Sequence, residues 1–454
     1  MKRNKQILKE KVFYWLLAFV AITIPFPAYS INSQAIIGFV LFWLFFNSFK
    51  EKSTLLKKNL IPFLILSIPF WLVLFGLIFT NDIDIALKEI PKKIPFLIFP
   101  LTILTVKLQN KTIPFITKQF YFGVFVASLL ALLKMVYFKV NSLGDYYYYD
   151  KLSILLNKHT TYFALFVVLG ILFVFYQLLN KKNNKKLSIV LLALFIPMLY
   201  MLSVRISVLA LLLGAFTLIA YHLKKRYVIM LLVVLPILFG AIYLTPNFQK
   251  RFEKSTIENT EIDDIDFRKL HWKAVLENIS QNPILVGNGT GSNRDFLYSK
   301  YKEYKLKAAY EDEYNAHNQF LEITLNHGLI GLCLFVFLLA YLGILFLKSK
   351  NSLAVSVLVV LITFMLTESI LERHSGVILF IFFMSLFLSK NSKKLQLQKL
   401  ITNPIILLLS GLVIGPFAPI MFNYNTTSSN DVIEESPKIN AFPKRTFSDD
   451  FKIK

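Results

Sequence analysis

Apolar runs of about 20 residues recur along this chain and alternate with short polar segments. A helix needs about that length to cross the hydrocarbon core of a bilayer. Backbone N–H and C=O groups in lipid must be paired within their own segment, so each run is expected to be a helix. About twelve or thirteen runs qualify, at roughly 12–30, 34–49, 60–80, 94–106, 119–138, 160–179, 187–203, 205–222, 227–245, 319–347, 353–371, 375–389 and 402–422.

The composition supports an all-α polytopic membrane protein. Of the 454 residues, 56% are apolar and 15% are aromatic, which is too apolar for a soluble multidomain protein. The net charge of +23 could suggest nucleic-acid binding. However, the basic residues fall in short clusters between apolar runs, as in the cytoplasmic loops of membrane proteins. The single cysteine, Cys333, excludes an intrachain disulfide and a multi-cysteine metal site.

The basic clusters also predict the topology. With the amino terminus inside, every lysine-rich loop falls on the cytoplasmic side, and the long 246–318 segment and His317 fall on the outer side. We therefore expect an amino-terminal bundle of about nine helices over 1–245 and a large helical outer loop domain over 246–318. Further membrane helices are expected over 319–422, followed by a polar, poorly ordered tail over 423–454.

Three polar sites near the predicted outer face could carry chemistry. His317 and Asn318 lie where the outer loop enters an apolar run, and histidine is suited to proton transfer near neutral pH. Arg205 lies between two apolar runs, where a guanidinium is costly unless it is paired. Arg268 and Trp272 are four apart and share a helix face. The structural alternatives are a capping or core histidine, a snorkelling arginine and a solvated helix.

A weaker set of residues lies at the same predicted level. Its members are polar or charged and precede or end an apolar run, and the basic ones could meet phosphate. The alternatives are interfacial anchors for the lysines, His159 and Tyr162, and a buried ion pair for the Glu–Arg set. Histidine spacing typical of zinc is absent from the sequence, and we expect neither a metal nor a cofactor. These supporting candidates are Lys92, Lys93, His159, Tyr162, Glu368, Glu372 and Arg373.

The arginines and the histidine together suit one reaction. Arginine binds phosphate oxygens through a bidentate fork, and a neutral histidine accepts a proton from a hydroxyl nucleophile. A sugar hydroxyl could then attack a sugar that is linked through diphosphate to a lipid. The arginines would stabilise the departing diphosphate, so a metal would not be required.

The stretch HNQFLEITLNHGLIG resembles the signature of the O-antigen ligase and polymerase superfamily. That signature is His, then Asn, Ser or Gln, nine residues, Gly, two residues, and a small residue or Tyr. Here the matching positions are His317, Asn318, Gly328 and Gly331.

Two further stretches resemble the same superfamily. LSVRISVLALLL is similar to its Ser-Arg helix start, although Val204 replaces the usual serine before Arg205. FRKLHWKAVLENISQNPILVGNGTG is similar to its outer-loop segment, with Arg268, Trp272, a proline and a glycine-rich turn. The resemblance is best over about 187–390, whereas the first 180 residues match mainly in hydropathy.

The resemblance implies a bundle related to the GT-C glycosyltransferases in the bacterial inner membrane. It implies transfer of glycan from an undecaprenyl-diphosphate donor at the periplasmic face. A ligase would transfer it to lipid A core, and a polymerase to another lipid-linked repeat unit. His317 would be the base, and Arg205 and Arg268 would bind the diphosphate. A transporter or flippase of lipid-linked sugars is the alternative, but we find neither the sequence repeat nor the midplane charges expected of one.

Overall fold

The computed structural model describes residues 2–180, 184–221, 255–257, 260–262, 264–281, 283–292 and 294–389. Helices dominate this part of the chain. The first helices are α1 (Lys2–Thr23), α2 (Tyr29–Phe46), α3 (Phe49–Lys58), α4 (Leu60–Leu66), α5 (Ile68–Gly76), α6 (Ile83–Lys93), α7 (Pro95–Leu104), α8 (Thr112–Val140), α9 (Tyr149–Ile154), α10 (Thr160–Leu179), α11 (Lys185–Leu202) and α12 (Arg205–Ala220). They are followed by an antiparallel pair, β1 (Ser255–Ile257) and β2 (Thr260–Ile262), and by α13 (Asp264–Ser280), α14 (Arg294–Glu303), α15 (Lys307–Glu311), α16 (Gln319–Lys348), α17 (Ser352–Met365), a 3-10 turn (Ile370–Glu372) and α18 (His374–Leu388).

The multi-pass membrane class predicted from the sequence is confirmed. Within the described residues, α2, α8, α10, α11 and α16 are long and apolar enough to cross a membrane, by length and composition. Helices α12, α17 and α18 are apolar but shorter. The expected runs 227–245 and 402–422, and the tail 423–454, lie outside the described residues. The total of twelve or thirteen spans, the domain division and the GT-C relationship therefore stay predictions.

Helices α10 and α16 lie at the centre of the packing. In their most apolar windows 78% and 72% of the residues are buried, against 33% in α2 and α11. Residues Tyr162–Val174 of α10 are apolar or glycine around the whole circumference and are buried, as expected for a helix enclosed by others. Helix α10 packs against α8, α11 and α12, and α12 packs closely along α17.

Some helix boundaries differ from the sequence expectation. The expected run 60–80 is divided into α4 and α5 around Ser67, because Pro69 supplies no N–H to continue α4 and instead fits the first turn of α5. Within the predicted outer loop, the polar stretch 293–310 forms two helices, α14 and α15. They are separated by a turn in which Lys305 has a φ of 56°.

The long helix α16 is interrupted at Gly328, whose backbone has φ 60° and ψ −163°. The segment 283–292 crosses this interruption and takes up the backbone groups that the helix leaves unpaired. A buried backbone group left unpaired would cost about 1–3 kcal/mol, which is why the two segments need one another. The bonds run from Leu329 N to Ile284 O (2.9 Å), Ile330 N to Leu285 O (3.1 Å), Asn288 N to Leu325 O (3.0 Å) and Gly289 N to Asn326 O (3.0 Å).

The glycines make this backbone approach possible. A Cβ on Gly328 would lie 2.4 Å from the carbonyl of Leu285, and a Cβ on Gly287 would lie 2.5 Å from Gly328 N. Both glycines have positive φ, at 60° and 71°, which L side chains rarely adopt. The group that approaches Gly328 is therefore the chain's own glycine-rich loop, whereas a Cβ on Gly331 would first meet the Cβ of His327 at 2.3 Å.

Replacing Gly328 by alanine should therefore prevent stable packing of the loop on α16. The clash with backbone atoms and the positive φ together should cost roughly 3 kcal/mol or more. Gly343 in the same helix is the matched control, since its Cβ would meet only Leu358 Cδ2 at 3.7 Å. Thermal unfolding midpoints of both variants in detergent would test this. Equal midpoints for Gly328→Ala and Gly343→Ala would show that the interruption does not depend on glycine.

Candidate active site

His317 lies in the turn that leads into α16. Its φ of 43° is positive, a strained conformation that persists only where surrounding contacts enforce it. Its backbone N–H donates to Asn315 Oδ1 at 3.0 Å. The next residue, Asn318, is the N-cap of α16, and its Oδ1 accepts from the N–H groups of Phe320 and Leu321 at 2.9 and 3.2 Å. Asn318 therefore fixes the turn that presents the imidazole.

The turn is also tied to the segment between α17 and α18. The Asn318 side chain donates to Leu366 O at 3.0 Å, and its backbone N–H donates to Ser369 Oγ at 3.2 Å. Gln319 accepts from Leu371 N at 2.7 Å. These bonds place the residues just beyond α17, Glu368 among them, beside His317.

His317 pairs with Glu368. His317 Nδ1 lies 3.3 Å from Glu368 Oε2, and the two side chains are 27% and 4% exposed. Burial alone would raise the pKa of Glu368. The hydrogen bond and charge of His317, with the charges of His159 and Arg373, outweigh burial and hold that pKa below its ordinary value. An ionised, buried carboxylate therefore faces Nδ1 of a partly exposed imidazole.

Glu368 and Glu372 are four apart in sequence, a spacing that would put them on one face of a helix, but the structure separates them. Helix α17 ends at Met365, so both lie beyond it, and they have different partners. Glu372 Oε2 instead lies 3.0 Å from Lys93 Nζ, which also donates to Leu371 O at 2.5 Å. For Glu372 and Lys93 the geometry therefore favours the structural alternative, a buried ion pair.

Aromatic rings surround the imidazole of His317. The ring centroid of Tyr314 lies 5.0 Å away and that of His271 lies 5.4 Å away, both roughly edge to face. His271 Nε2 lies 2.7 Å from the Tyr301 hydroxyl and 2.9 Å from Asn315 O. Through this one nitrogen His271 is tied both to Tyr301 and to the backbone two residues before His317.

The neighbouring imidazoles stay uncharged near neutral pH. Burial lowers the pKa of His271 to about 3, and the charges of His317 and Arg268 act in the same direction. Burial lowers the pKa of His159 to about 4, although the charge of Glu368 opposes it. Glu368 thus has several imidazoles near it, but His317 is the one that its carboxylate contacts at hydrogen-bond distance within the described residues.

The structure places Arg268 and Trp272 on α13, the helix that presents His271 to His317. Arg268 is exposed and Trp272 is half-buried. Arg268 precedes His271 by three residues, and its charge contributes to the lowered pKa of that imidazole. Arg268 is therefore brought close to the site while remaining accessible.

Arg205 is the first residue of α12 and is half-buried. Two residues before it, Ser203 has a φ of 49°. The Ser203 hydroxyl accepts a hydrogen bond from the Tyr148 hydroxyl at 2.7 Å. The next tyrosine, Tyr149, is close enough to Tyr314 to raise its pKa, after burial and the charge of Asp312. The tyrosine-rich segment thus links the Arg205 turn to the aromatic side of the His317 site.

The remaining candidates support the site in different ways. The Tyr162 hydroxyl lies 3.3 Å from the carbonyl oxygens of Ser369 and Ile370, so it steadies the backbone after Glu368. The Arg373 guanidinium lies 5.9 Å from the Tyr162 ring centre. Lys92 is exposed and pairs with Glu89 at 2.7 Å, apart from the His317 cluster.

Sequence reasoning missed three residues. His271 could have been found, because it lies three residues after Arg268 on the same predicted helix face. Tyr314 lies in a polar loop, where no helix or strand periodicity marks it. Lys158 is buried with its Nζ 3.9 Å from the centre of the Tyr29 ring and 3.3 Å from Ser375 Oγ, and burial lowers its pKa to about 7. A single lysine in a polar loop gives no sign in the sequence that its side chain is buried.

Residues 190–336 match the family model of the O-antigen ligase domain, Wzy_C. The match covers roughly a third of the chain and includes Arg205, Arg268, His317 and both signature glycines. The resemblance expected from the sequence is confirmed over this segment. No curated protein gives a significant match. Members of the family are glycosyltransferase-like enzymes, which fits a multi-pass membrane chain. Among the described residues, no group of three His, Cys, Asp or Glu side chains could hold a metal ion.

The free energy of unfolding should decrease as the pH is lowered, because unfolding lets the buried neutral imidazoles take up protons. The pKa of His271 is about 3 in the folded chain and near 6.5 when unfolded, so unfolding takes up a proton between these values. Stability is complete above about pH 6.5 and should be lower by about 2 kcal/mol at pH 5 from this residue alone.

This pH dependence is measurable as the shift of the thermal midpoint between pH 7 and pH 5 in detergent. His271→Gln cannot take up the proton and should show a smaller shift than the wild type. A shift of equal size in both proteins would contradict the lowered pKa of His271.

Proposed function

We propose that this protein transfers glycan from an undecaprenyl-diphosphate donor to a hydroxyl acceptor at the periplasmic face of the inner membrane, as an O-antigen ligase acting on lipid A core. The observation that carries the proposal is the His317–Glu368 pair at the start of α16, inside or next to the matched segment. Extension of a lipid-linked repeat unit by a polymerase would use the same chemistry with a different acceptor.

The pair defines the tautomer of His317. Ionised Glu368 accepts a hydrogen bond, so the proton of the neutral ring resides on Nδ1 and the lone pair is left on Nε2. No described residue makes a hydrogen bond to Nε2, and the ring is 27% exposed. Nε2 is therefore the atom available to take a proton from a substrate hydroxyl.

The proposed reaction is an attack by the acceptor hydroxyl on the donor sugar. The acceptor oxygen loses its proton to Nε2 and forms a bond with the anomeric carbon of the donor sugar. The bond from that carbon to the diphosphate breaks, and the diphosphate leaves with the electron pair. Arg268 is exposed near the site and Arg205 heads α12; as guanidinium groups both suit the charge that develops on the leaving diphosphate.

The surroundings favour formation of the imidazolium. Glu368 is buried and stabilises the positive charge that appears on His317. His159 and His271 remain neutral, so they do not oppose this charge near neutral pH. The arrangement resembles the carboxylate–histidine half of a catalytic triad in its logic.

Replacing His317 by alanine should abolish glycan transfer, a loss of about 100-fold or more, because general-base catalysis contributes at least that much. The measurement is surface glycan in cells from which the gene has been deleted and then restored as wild type or variant. Undecorated lipid A core with accumulated lipid-linked polymer indicates a ligase, and core bearing one repeat unit indicates a polymerase. Normal surface glycan in His317→Ala cells would refute the base assignment.

Glu368→Gln should slow transfer by about 10–100-fold, because the amide holds the ring but does not stabilise the imidazolium. Glu368 is a positioning residue, so the decisive readout is rescue by the conservative variant. Glu368→Asp keeps a carboxylate and should recover part of the rate that Glu368→Gln loses. Glu311→Gln, an exposed residue six positions before His317, is the control. Equal losses of rate in Glu368→Asp and Glu368→Gln would contradict a role for the carboxylate charge.

A further inference from the structure

Helix α6 carries an apolar stripe that the described residues leave largely exposed. Ile83, Leu87, Ile90 and Ile94 follow one another at spacings of four, three and four residues, so their side chains lie along one side of the helix. Ile83 and Leu87 are each 51% exposed, and Ile94 is exposed as well. These four residues form the α6 stripe.

Another side of α6 is packed against the protein. Ala86 is fully buried, and a Cβ on Gly291 of the glycine-rich loop would lie 2.8 Å from Ile85 Cγ2. Lys93 is also buried and pairs with Glu372. The helix is therefore docked on the fold, and the stripe is the side that this docking leaves uncovered.

Both ends of α6 are bonded to segments at which apolar helices end or are interrupted. Just before the helix, the Asn81 N–H donates to Ser292 Oγ at 2.8 Å, in the loop that crosses the interruption of α16. At its last residue, Lys93 donates to Leu371 O, in the turn between α17 and α18. A helix held at both ends by such segments lies along the boundary of the apolar layer, and its 11 residues are too few to cross that layer.

The stripe continues a larger apolar surface. Phe75, Ile78 and Phe79 are all exposed, at the end of α5 and in the turn that follows it. They belong to an apolar run of membrane length, and only residues 80–82 separate them from Ile83. Exposed apolar surface that extends in this way from a membrane segment is suited to lipid.

The polar side of α6 completes the pattern of a helix at a membrane surface. Asp84, Lys88 and Lys92 are exposed on the side turned away from the stripe. Helices that lie in the plane of a membrane bury an apolar side among acyl chains and carry lysines on the polar side, where they attract anionic lipids. The charge distribution therefore favours lipid over a second protein as the partner of the stripe.

We propose that α6 is an interfacial helix whose stripe binds the acyl chains of the surrounding bilayer, with Lys88 and Lys92 turned toward the lipid phosphates. In this position the helix seats the glycine-rich loop and the turn after α17 on the membrane surface. The inference depends on the membrane class of the fold, and it stands independently of the proposed glycan transfer.

The test measures the contact of single positions on α6 with lipid and with water. The exposed Cys333 is replaced by serine, and a nitroxide label is attached to Leu87→Cys or Lys88→Cys in the full-length protein. The protein is held in nanodiscs of phosphatidylethanolamine and phosphatidylglycerol. Power-saturation EPR then gives the accessibility of each label to oxygen, which concentrates in lipid, and to a water-soluble nickel chelate. The ratio of oxygen to nickel accessibility should be several-fold higher at Leu87 than at Lys88, its matched control.

Three further labels support the measurement. Ile83→Cys, one turn before Leu87, reports on the same stripe independently and should give the same high ratio. Leu129→Cys, exposed on the membrane-length helix α8, provides the reference for lipid. Glu311→Cys, exposed on α15, provides the reference for water.

Three results would overturn the proposal. Ratios at Leu87 and Lys88 that both match Glu311 would show that α6 lies in water. Ratios at both positions that match Leu129 would place the helix inside the apolar layer. Low accessibility of Leu87 to both reagents would show that protein covers the stripe, either a second copy or a segment outside the described residues.

Discussion

The buried carboxylate of Glu322 is the group on which the geometry of the site depends. It is fully buried, pairs with Arg294, and accepts from Ala316 N at 2.9 Å and from Asn326 Nδ2 at 3.0 Å. A charge in such a place is costly unless it is paired and fully hydrogen-bonded. The bonds that satisfy this charge join α14 to α16 and fix the backbone of Ala316, one residue before His317. Glu322 and Arg294 can be replaced only together, because either one alone would be a buried uncompensated charge.

Hydrogen bonds also connect the turns on which the site is built. Asn318 and Gln319 bind the backbone between α17 and α18, and the Tyr162 hydroxyl of α10 contacts that backbone as well. The backbone on either side of Glu368 is therefore bonded to other segments. The proposed base and its carboxylate need positioning of this kind, since a misplacement of about 1 Å is costly in rate.

The sequence was sufficient for features that depend on length and periodicity. Apolar runs of membrane length predicted α10, α11 and α16, and the spacing of Arg268 and Trp272 predicted the helix that bears them. Contacts between distant segments could not be predicted. Glu368 and Glu372 are four apart, but α17 ends before them, and their partners lie 51 and 279 residues away along the chain. Gly328 and the glycine-rich turn are both visible in the sequence, but nothing local shows that they contact each other.

The interruption of α16 also divides its length unequally. The whole helix has 30 residues, more than a bilayer core requires. The part after Gly328, from Leu329 to Lys348, has 20 residues and is about 30 Å long, which already equals the hydrocarbon thickness. The part from Gln319 to His327 is therefore not needed to cross a membrane. Under the topology proposed above, it would act as a spacer that brings the imidazole of His317 toward the headgroup layer, the level at which a lipid carries its phosphates.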